Sequence, residues 1–204
     1  MSELPITPLP PETPPSPGVV VLGRFQPFHR GHALLLIAAS EWRRKSASDL
    51  PLIIAIGSSN REESLQNPWS ADERLAMLRA WLSESDIPDA EIVSIPDIED
   101  PPNWVSHAEK YHGAAGVLFT SDATSAELYE VAGRKVLTAP LENRESFEGW
   151  RVRETARMLS TVGDEEAVSA VLSQTIPLVV VDYLISNDAL RRLAFLGEGG
   201  EPVG

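Results

Sequence analysis

Residues 19–32 read VVVLGRFQPFHRGH, and the fold turns on how that stretch divides. Four apolar β-formers in a row are the pattern of a strand buried on both faces. Gly23 ends the run and lets a ligand approach the backbone closely. Pro27 sets the path of a loop, and His29 and His32 fall where a helix begins. In an open parallel sheet, ligands bind outside the carboxyl ends of the strands. The turn after this first strand is therefore where a site is expected.

Working outward, strands and helices alternate. A strand at 18–23 leads to a helix at about 30–45. A second buried strand, LPLIIAIG, covers 50–57. Ser70 caps the next helix, with Glu73 in the capping-box place. Strands at 90–96, 115–120 and 134–140 follow, separated by helices at 103–111 and 123–132. The alternation predicts an α/β protein: a Rossmann-like, doubly wound parallel sheet of about five strands. Helices at 150–161, 164–175 and 187–196 predict a C-terminal helical extension. Residues 176–185 fit either a short strand or a buried helix. Three regions are expected: a disordered Pro-rich tail at 1–17, the α/β domain at 18–160, and the extension at 161–204. The extension would pack on the same domain and end in a frayed GEGGEPVG.

The chain has 204 residues and a net charge of −13. Such an acidic surface argues against non-specific nucleic-acid binding, which needs Lys and Arg on phosphates. No apolar run nears the roughly 18 residues of a membrane span. No signal-peptide pattern opens the sequence, and there is no Cys. These features fit a cytoplasmic protein that binds neither nucleic acid nor membrane, and they exclude disulfides and thiolate-bound metals.

The first turn has the chemistry of an anion site. Arg24 is able to fork onto phosphate oxygens. His29 and His32 sit at a helix start, where free N–H groups and the helix dipole favour negative charge. Two imidazoles there can donate to phosphate oxygens as charge builds on a leaving group. Gly31 leaves room for a flat base or ribose. Two rival readings stay open: His-x-x-His as a pair of metal ligands, although no third strong ligand lies nearby, and two ordinary loop histidines. Downstream, Arg153 lies in the first turn of a predicted helix, and Trp104 follows a Pro-rich loop. Asp97 fits a turn or cap as well as a ligand contact. Glu73 and Arg74 fit helix-surface charges, and His107 and His112 read as surface-helix residues.

GRFQPFHRGH resembles the (H/T)xGH signature of the nucleotidyltransferase superfamily. The fuller string is similar to the archaeal-type nicotinamide mononucleotide (NMN) adenylyltransferases. IAIGSSN (54–60), NPWSADER (67–74, against the family's NPFTAGER), IPDIEDPPNW (95–104) and EGWRVR (148–153, in the place of SGTxIR) follow in order. The resemblance covers about residues 18–159. It implies AMP transfer from ATP to the 5′-phosphate of NMN, giving NAD and pyrophosphate. Arg24, His29, His32 and Arg153 would hold the triphosphate, with Mg²⁺ carried by substrate oxygens rather than by a protein metal site. Gly23, Phe25, Gly31, Asp97, Trp104, Ser121 and Asp122 would contact the nucleotides, with Trp104 stacked on the nicotinamide. A homo-oligomer also follows by family analogy.

Some positions depart from the family. Glu148 and Trp150 replace a Ser and a Thr, Glu62-Glu63 replace Ser-His, and Ser121-Asp122 replace Gly-Asn. Two alternatives go with these changes: the same AMP or CMP transfer onto another phosphorylated acceptor, and a non-catalytic nucleotide-binding homologue.

Overall fold

The computed structural model describes residues 4–13, 15–87, 89–139 and 147–196. The expected end of the fifth strand at Pro140 and the GEGGEPVG tail lie outside the described residues. The five expected strands are present: β1 (Val19–Gly23), β2 (Leu52–Ile56), β3 (Ala90–Ser94), β4 (Val117–Thr120) and β5 (Lys135–Thr138). They form one parallel sheet in the order β3-β2-β1-β4-β5. The chain is therefore a Rossmann-like α/β protein.

Seven α-helices accompany the sheet among the described residues: α1 (Arg30–Ser46), α2 (Ala71–Glu84), α3 (Pro101–His112), α4 (Ala123–Val131), α5 (Gly149–Leu159), α6 (Glu165–Leu172) and α7 (Leu178–Ser186). The capping box of α2 is formed as expected: Glu73 N–H donates to Ser70 Oγ, and Ser70 N–H donates to the Glu73 carboxylate at 2.8 Å. α3 starts two residues earlier than expected because Pro101 and Pro102 occupy its first turn, where a missing N–H costs nothing. The ambiguous segment is α7. Pro177 caps it, and Val180, Val181 and Leu184 bury one face. The helix expected at 187–196 reduces to a 3₁₀ segment, Arg191–Ala194. Asp188 takes φ +50 and turns the chain out of α7 first.

The chain divides into two compact units that interleave in sequence. Unit 1 comprises Met1–Arg24, His32–Arg61 and Asp86–Glu142; unit 2 comprises Phe25–Gly31, Glu62–Ser85 and Asn143–Gly204. Unit 1 holds the whole sheet, α3, α4 and most of α1. Unit 2 holds α2 and α5 to α7.

In unit 1, successive strand residues face opposite sides. Val20, Ile53, Ala55 and Leu118 build a core with Val105, Ala108 and Tyr111 of α3 and Tyr129 of α4. His107 and His112, expected on the surface, belong to this buried layer, because the residues around them on α3 pack inward. His107 Nε2–H donates to Pro96 O at 2.9 Å. His112 Nδ1–H donates to Gly113 O at 3.0 Å, so its Nε2 accepts the Tyr129 hydroxyl at 2.7 Å. Burial lowers the His112 pKa and raises that of Tyr129, which keeps both groups neutral.

Residues 4–13 have no helix or strand, as their prolines dictate, yet they are not a loose tail. A Pro-rich chain keeps its carbonyl acceptors, and two are engaged in unit 1: Pro5 O by Asn60 and Pro8 O by Tyr111.

In unit 2, Arg192 grips Glu73 at 2.6 Å and Glu63 at 3.2 Å. Arg74 is buried rather than on the helix surface, with Nε–H donating to Ser70 O at 3.1 Å.

Candidate active site

β1 pairs with β2 on one side and with β4 on the other. The strand order reverses there, and the chains leaving β1 and β4 diverge from a crevice at their carboxyl ends. A cavity of about 380 Å³ occupies that end of unit 1. The first four strands each contribute through the segment that follows them. Gly23 and Arg24 come after β1, and Gly57 and Ser58 after β2. Asp97 and Trp104 come after β3, and Ser121 and Asp122 after β4. His32, in the first turn of α1, joins them. Seven of the sequence-predicted residues thus line one cavity: Gly23, Arg24, His32, Asp97, Trp104, Ser121 and Asp122.

Arg24 is exposed and His32 half-buried. Asp122 caps α4 by accepting the N–H of Ser125 at 2.8 Å, which sets the position of its carboxylate at the cavity edge. Trp104 is partly buried against the core, its ring edge-on to Tyr129 at 6.3 Å, while it also lines the cavity. Core packing and ligand contact are therefore not alternatives for this residue.

Asp97 is held from three directions. Arg61 Nε–H donates to Asp97 Oδ2 at 2.8 Å, and Arg61 also binds Glu99 at 2.9 Å. The hydrogen bond that the guanidinium donates to Asp97 leads the causes that raise the Arg61 pKa. Asn60 pairs with the Asp97 backbone: Nδ2–H donates to Asp97 O at 2.9 Å, and Oδ1 accepts Asp97 N–H at 2.7 Å. A second cavity of about 260 Å³ shares Leu22, Asp97, Trp104 and Ser125 with the first and adds Arg61, Glu99 and Asp100.

The other predicted residues belong to unit 2. His29 is buried, and its pKa is lowered to about 4, first by burial and then by the Arg153 cation. It is neutral at pH 7. Arg153 Nη1–H donates to Gln26 O at 2.9 Å, which ties α5 to the first turn. Gly31 does not leave open space for a base: a Cβ there would lie 2.8 Å from Phe147 Cβ and 3.1 Å from the His29 ring. Its missing side chain admits protein packing. Phe25 is buried, with its ring 6.1 Å from that of Phe28. Glu148, a carboxylate where the family has Ser, accepts the Trp150 indole N–H at 2.7 Å and lies 3.3 Å from Arg151 Nε. Its charge is matched within its own helix start.

Three contributors escape a sequence reading. Gln26 clamps the Trp69 backbone with both amide atoms, accepting at 3.1 Å and donating at 2.8 Å, and the Trp69 indole N–H reaches Ala189 O. Asn60 and Arg61 frame Asp97. Only their place directly after IAIGSS hints at it. Among the described residues, no three His, Asp or Glu side chains gather closely enough to hold a metal ion. Nor is any helix among them long and apolar enough to cross a membrane.

Comparison with known proteins matches the cytidylyltransferase-like family model over residues 20–161. The nicotinamide-nucleotide adenylyltransferase of Ignicoccus hospitalis is 30% identical over 178 residues, covering 86% of this chain and 95% of its own. That of Picrophilus torridus is 33% identical over 133 residues, covering 65% of this chain and 75% of its own. A solved bifunctional NMN adenylyltransferase/ADP ribose pyrophosphatase from Francisella tularensis, complexed with AMP and Mn ion, superposes with a TM-score of 0.56 at 18% identity. That match covers 84% of this chain and 53% of the other, so the chain spans about half of the Francisella protein and shares its fold. Strand order, crevice and sequence agree: the chain belongs to the cytidylyltransferase-like family and, within it, to the nicotinamide-nucleotide adenylyltransferases.

Proposed function

We propose that the protein transfers AMP from ATP to the 5′-phosphate of NMN, forming NAD and pyrophosphate. An oxygen of the acceptor phosphate attacks the α-phosphorus in line. The bond from that phosphorus to the oxygen bridging the β-phosphate breaks, and its electron pair leaves with pyrophosphate. No covalent enzyme intermediate is needed, so the protein's work is positioning and charge neutralisation. The carrying observation is the switch-point cavity, with Arg24 and His32 on its lining together with Asp97 and Trp104.

In this reading Arg24 and His32 take phosphate oxygens. His29 and Arg153, which the same motifs carry, are assigned to the triphosphate as well. Trp104 supplies a flat apolar surface for the nicotinamide. Mg²⁺ enters as part of the ATP substrate. It would be held chiefly by phosphate oxygens and water. With ATP as substrate, we place the enzyme in the cytoplasm.

The test is direct. Purified protein with ATP, Mg²⁺ and NMN should yield NAD and stoichiometric pyrophosphate. Pyrophosphate release only with a different phosphate ester would transfer the function to another acceptor. That alternative draws on Glu148, Trp150, Ser121 and Asp122; of these, the Glu148 carboxylate accepts the Trp150 indole N–H and the Asp122 carboxylate accepts the Ser125 N–H.

The acceptor side also has a charge preference. Asp97, Glu99 and Asp100 line the cavity beside Trp104 against the Arg61 guanidinium. A neutral carboxamide is accepted there more readily than a carboxylate. Repulsion of about 1.4 kcal/mol would favour NMN over its nicotinate analogue about tenfold in kcat/KM. Paired initial-rate assays check this, and equal values would remove the charge argument.

A further inference from the structure

Seven of the first 17 residues are Pro, and the described part of this segment is anchored to unit 1 along its length. Close to β1, the carbonyls of Pro15 and Ser16 abut Gly113 at the end of α3. A Cβ on that glycine would lie 2.7 and 2.6 Å from their oxygens. Further back along the chain, the Tyr111 hydroxyl donates to Pro8 O at 2.9 Å. Further still, Asn60 Nδ2 donates to Pro5 O at 2.9 Å. The same nitrogen gives its second hydrogen to Asp97 O at 2.9 Å, while Oδ1 takes the Asp97 N–H at 2.7 Å. A primary amide has two donors and one acceptor oxygen. Asn60 spends both donors and its oxygen on joining the N-terminal segment to the backbone of Asp97.

We propose that residues 4–9 form a strap that positions the Asp97 loop through Asn60 and thereby sets affinity for the nicotinamide-nucleotide acceptor. The inference rests on the proposed reaction for its kinetic consequence and on hydrogen bonds alone for its structural one. Proline fixes φ, so the segment gives up little backbone freedom when it docks, and a few hydrogen bonds suffice to hold it. Asn60 and Tyr111 are positioning residues; neither lines the cavity. The strap reaches the side of the cavity formed by Asp97 and Trp104. Arg24 and His32 sit on other elements, so phosphate contacts are outside its influence.

The experiment compares the full chain with a variant lacking residues 1–9 and with Tyr111→Phe, which keeps the ring in the core and removes only the strap's hydroxyl contact. In the truncated protein KM for NMN should rise about fivefold, as expected for the net loss of about one hydrogen bond's support. KM for ATP and kcat should stay within twofold. Tyr111→Phe should move KM for NMN the same way by a smaller factor. Amide exchange at Asp97 should speed up in both variants, because the Asn60 side chain that accepts its N–H is held less firmly. Unchanged exchange at Asp97 in both variants overturns the strap. Faster exchange with KM for NMN unmoved overturns its link to acceptor binding. If the full chain makes no NAD, the proposed reaction fails, and the exchange comparison still decides the strap.

Discussion

Replacing His32 with Ala is expected to lower kcat by about 10²-fold while leaving ATP affinity nearly unchanged. The asymmetry follows from where charge moves. As the α-phosphorus bond breaks, negative charge builds on the departing pyrophosphate, and a donor aimed there gains strength in the transition state beyond what it has with bound ATP. His32 lies in the first turn of α1 and lines the switch-point cavity with Gly23 and Arg24, where such a donor is needed. Single-turnover rates at saturating ATP and NMN give the first quantity, and calorimetric titration with a non-hydrolysable ATP analogue gives the second. His32→Gln, which keeps an N–H donor, should recover part of the rate. Parent-like turnover in the Ala variant would take His32 out of the chemistry.

The second large effect is on stability in acid. His29 has a folded pKa of about 4 against 6.5 for a free imidazole. As pH falls below 6.5 the unfolded chain binds the proton first, so stability drops with falling pH until the folded pKa is reached. Between those limits the loss amounts to about 3 kcal/mol, at about 1.36 kcal/mol for each pH unit separating the two values. Above pH 6.5 the group contributes nothing. His112, also lowered by burial, acts in the same direction. Urea titrations at pH 7, 5.5 and 4.5 should show a steep fall for the parent and a shallower one for His29→Gln. Parallel slopes would show that His29 does not carry the effect. Removing the Arg153 charge should raise the His29 pKa only in part, since burial is the larger cause.

The sheet was legible because strand cores such as LIIAI and VLF are short, continuous apolar runs alternating with helical stretches, the pattern of strands covered on both faces. The cavity was legible for a related reason. A ligand in a parallel sheet must sit past the strand ends, and Arg24, Asp97, Trp104 and Asp122 each follow a strand. What stayed hidden depends on partners distant in sequence. His107 and His112 carry polar side chains on an amphipathic helix, and nothing local says that Pro96 O and Tyr129 wait for them inside. Arg74 reads as a surface charge until the packing around it is known. Gly31 looked like a cradle for a ligand because Phe147, more than a hundred residues away, is invisible from GRFQPFHRGH. The N-terminal prolines rule out ladders and helix interiors, but they say nothing about whether their carbonyls find donors.

Where β1 and β4 begin, Val117 N–H donates to Gly18 O at 2.9 Å. A methyl group on Gly116 would stand 2.5 Å from that same oxygen, and one on Gly18 would stand 2.6 Å from Ile53 Cδ1 and 2.8 Å from Pro51 O. The methyl absent from Gly116 is what allows the fourth strand to zip against the first, and the one absent from Gly18 lets the first lie close to the start of the second. The nucleotide crevice at the far end of those strands exists because of that adjacency. Its foundation is thus a hydrogen in place of a methyl on Gly116, at the opposite end of those strands from the cavity.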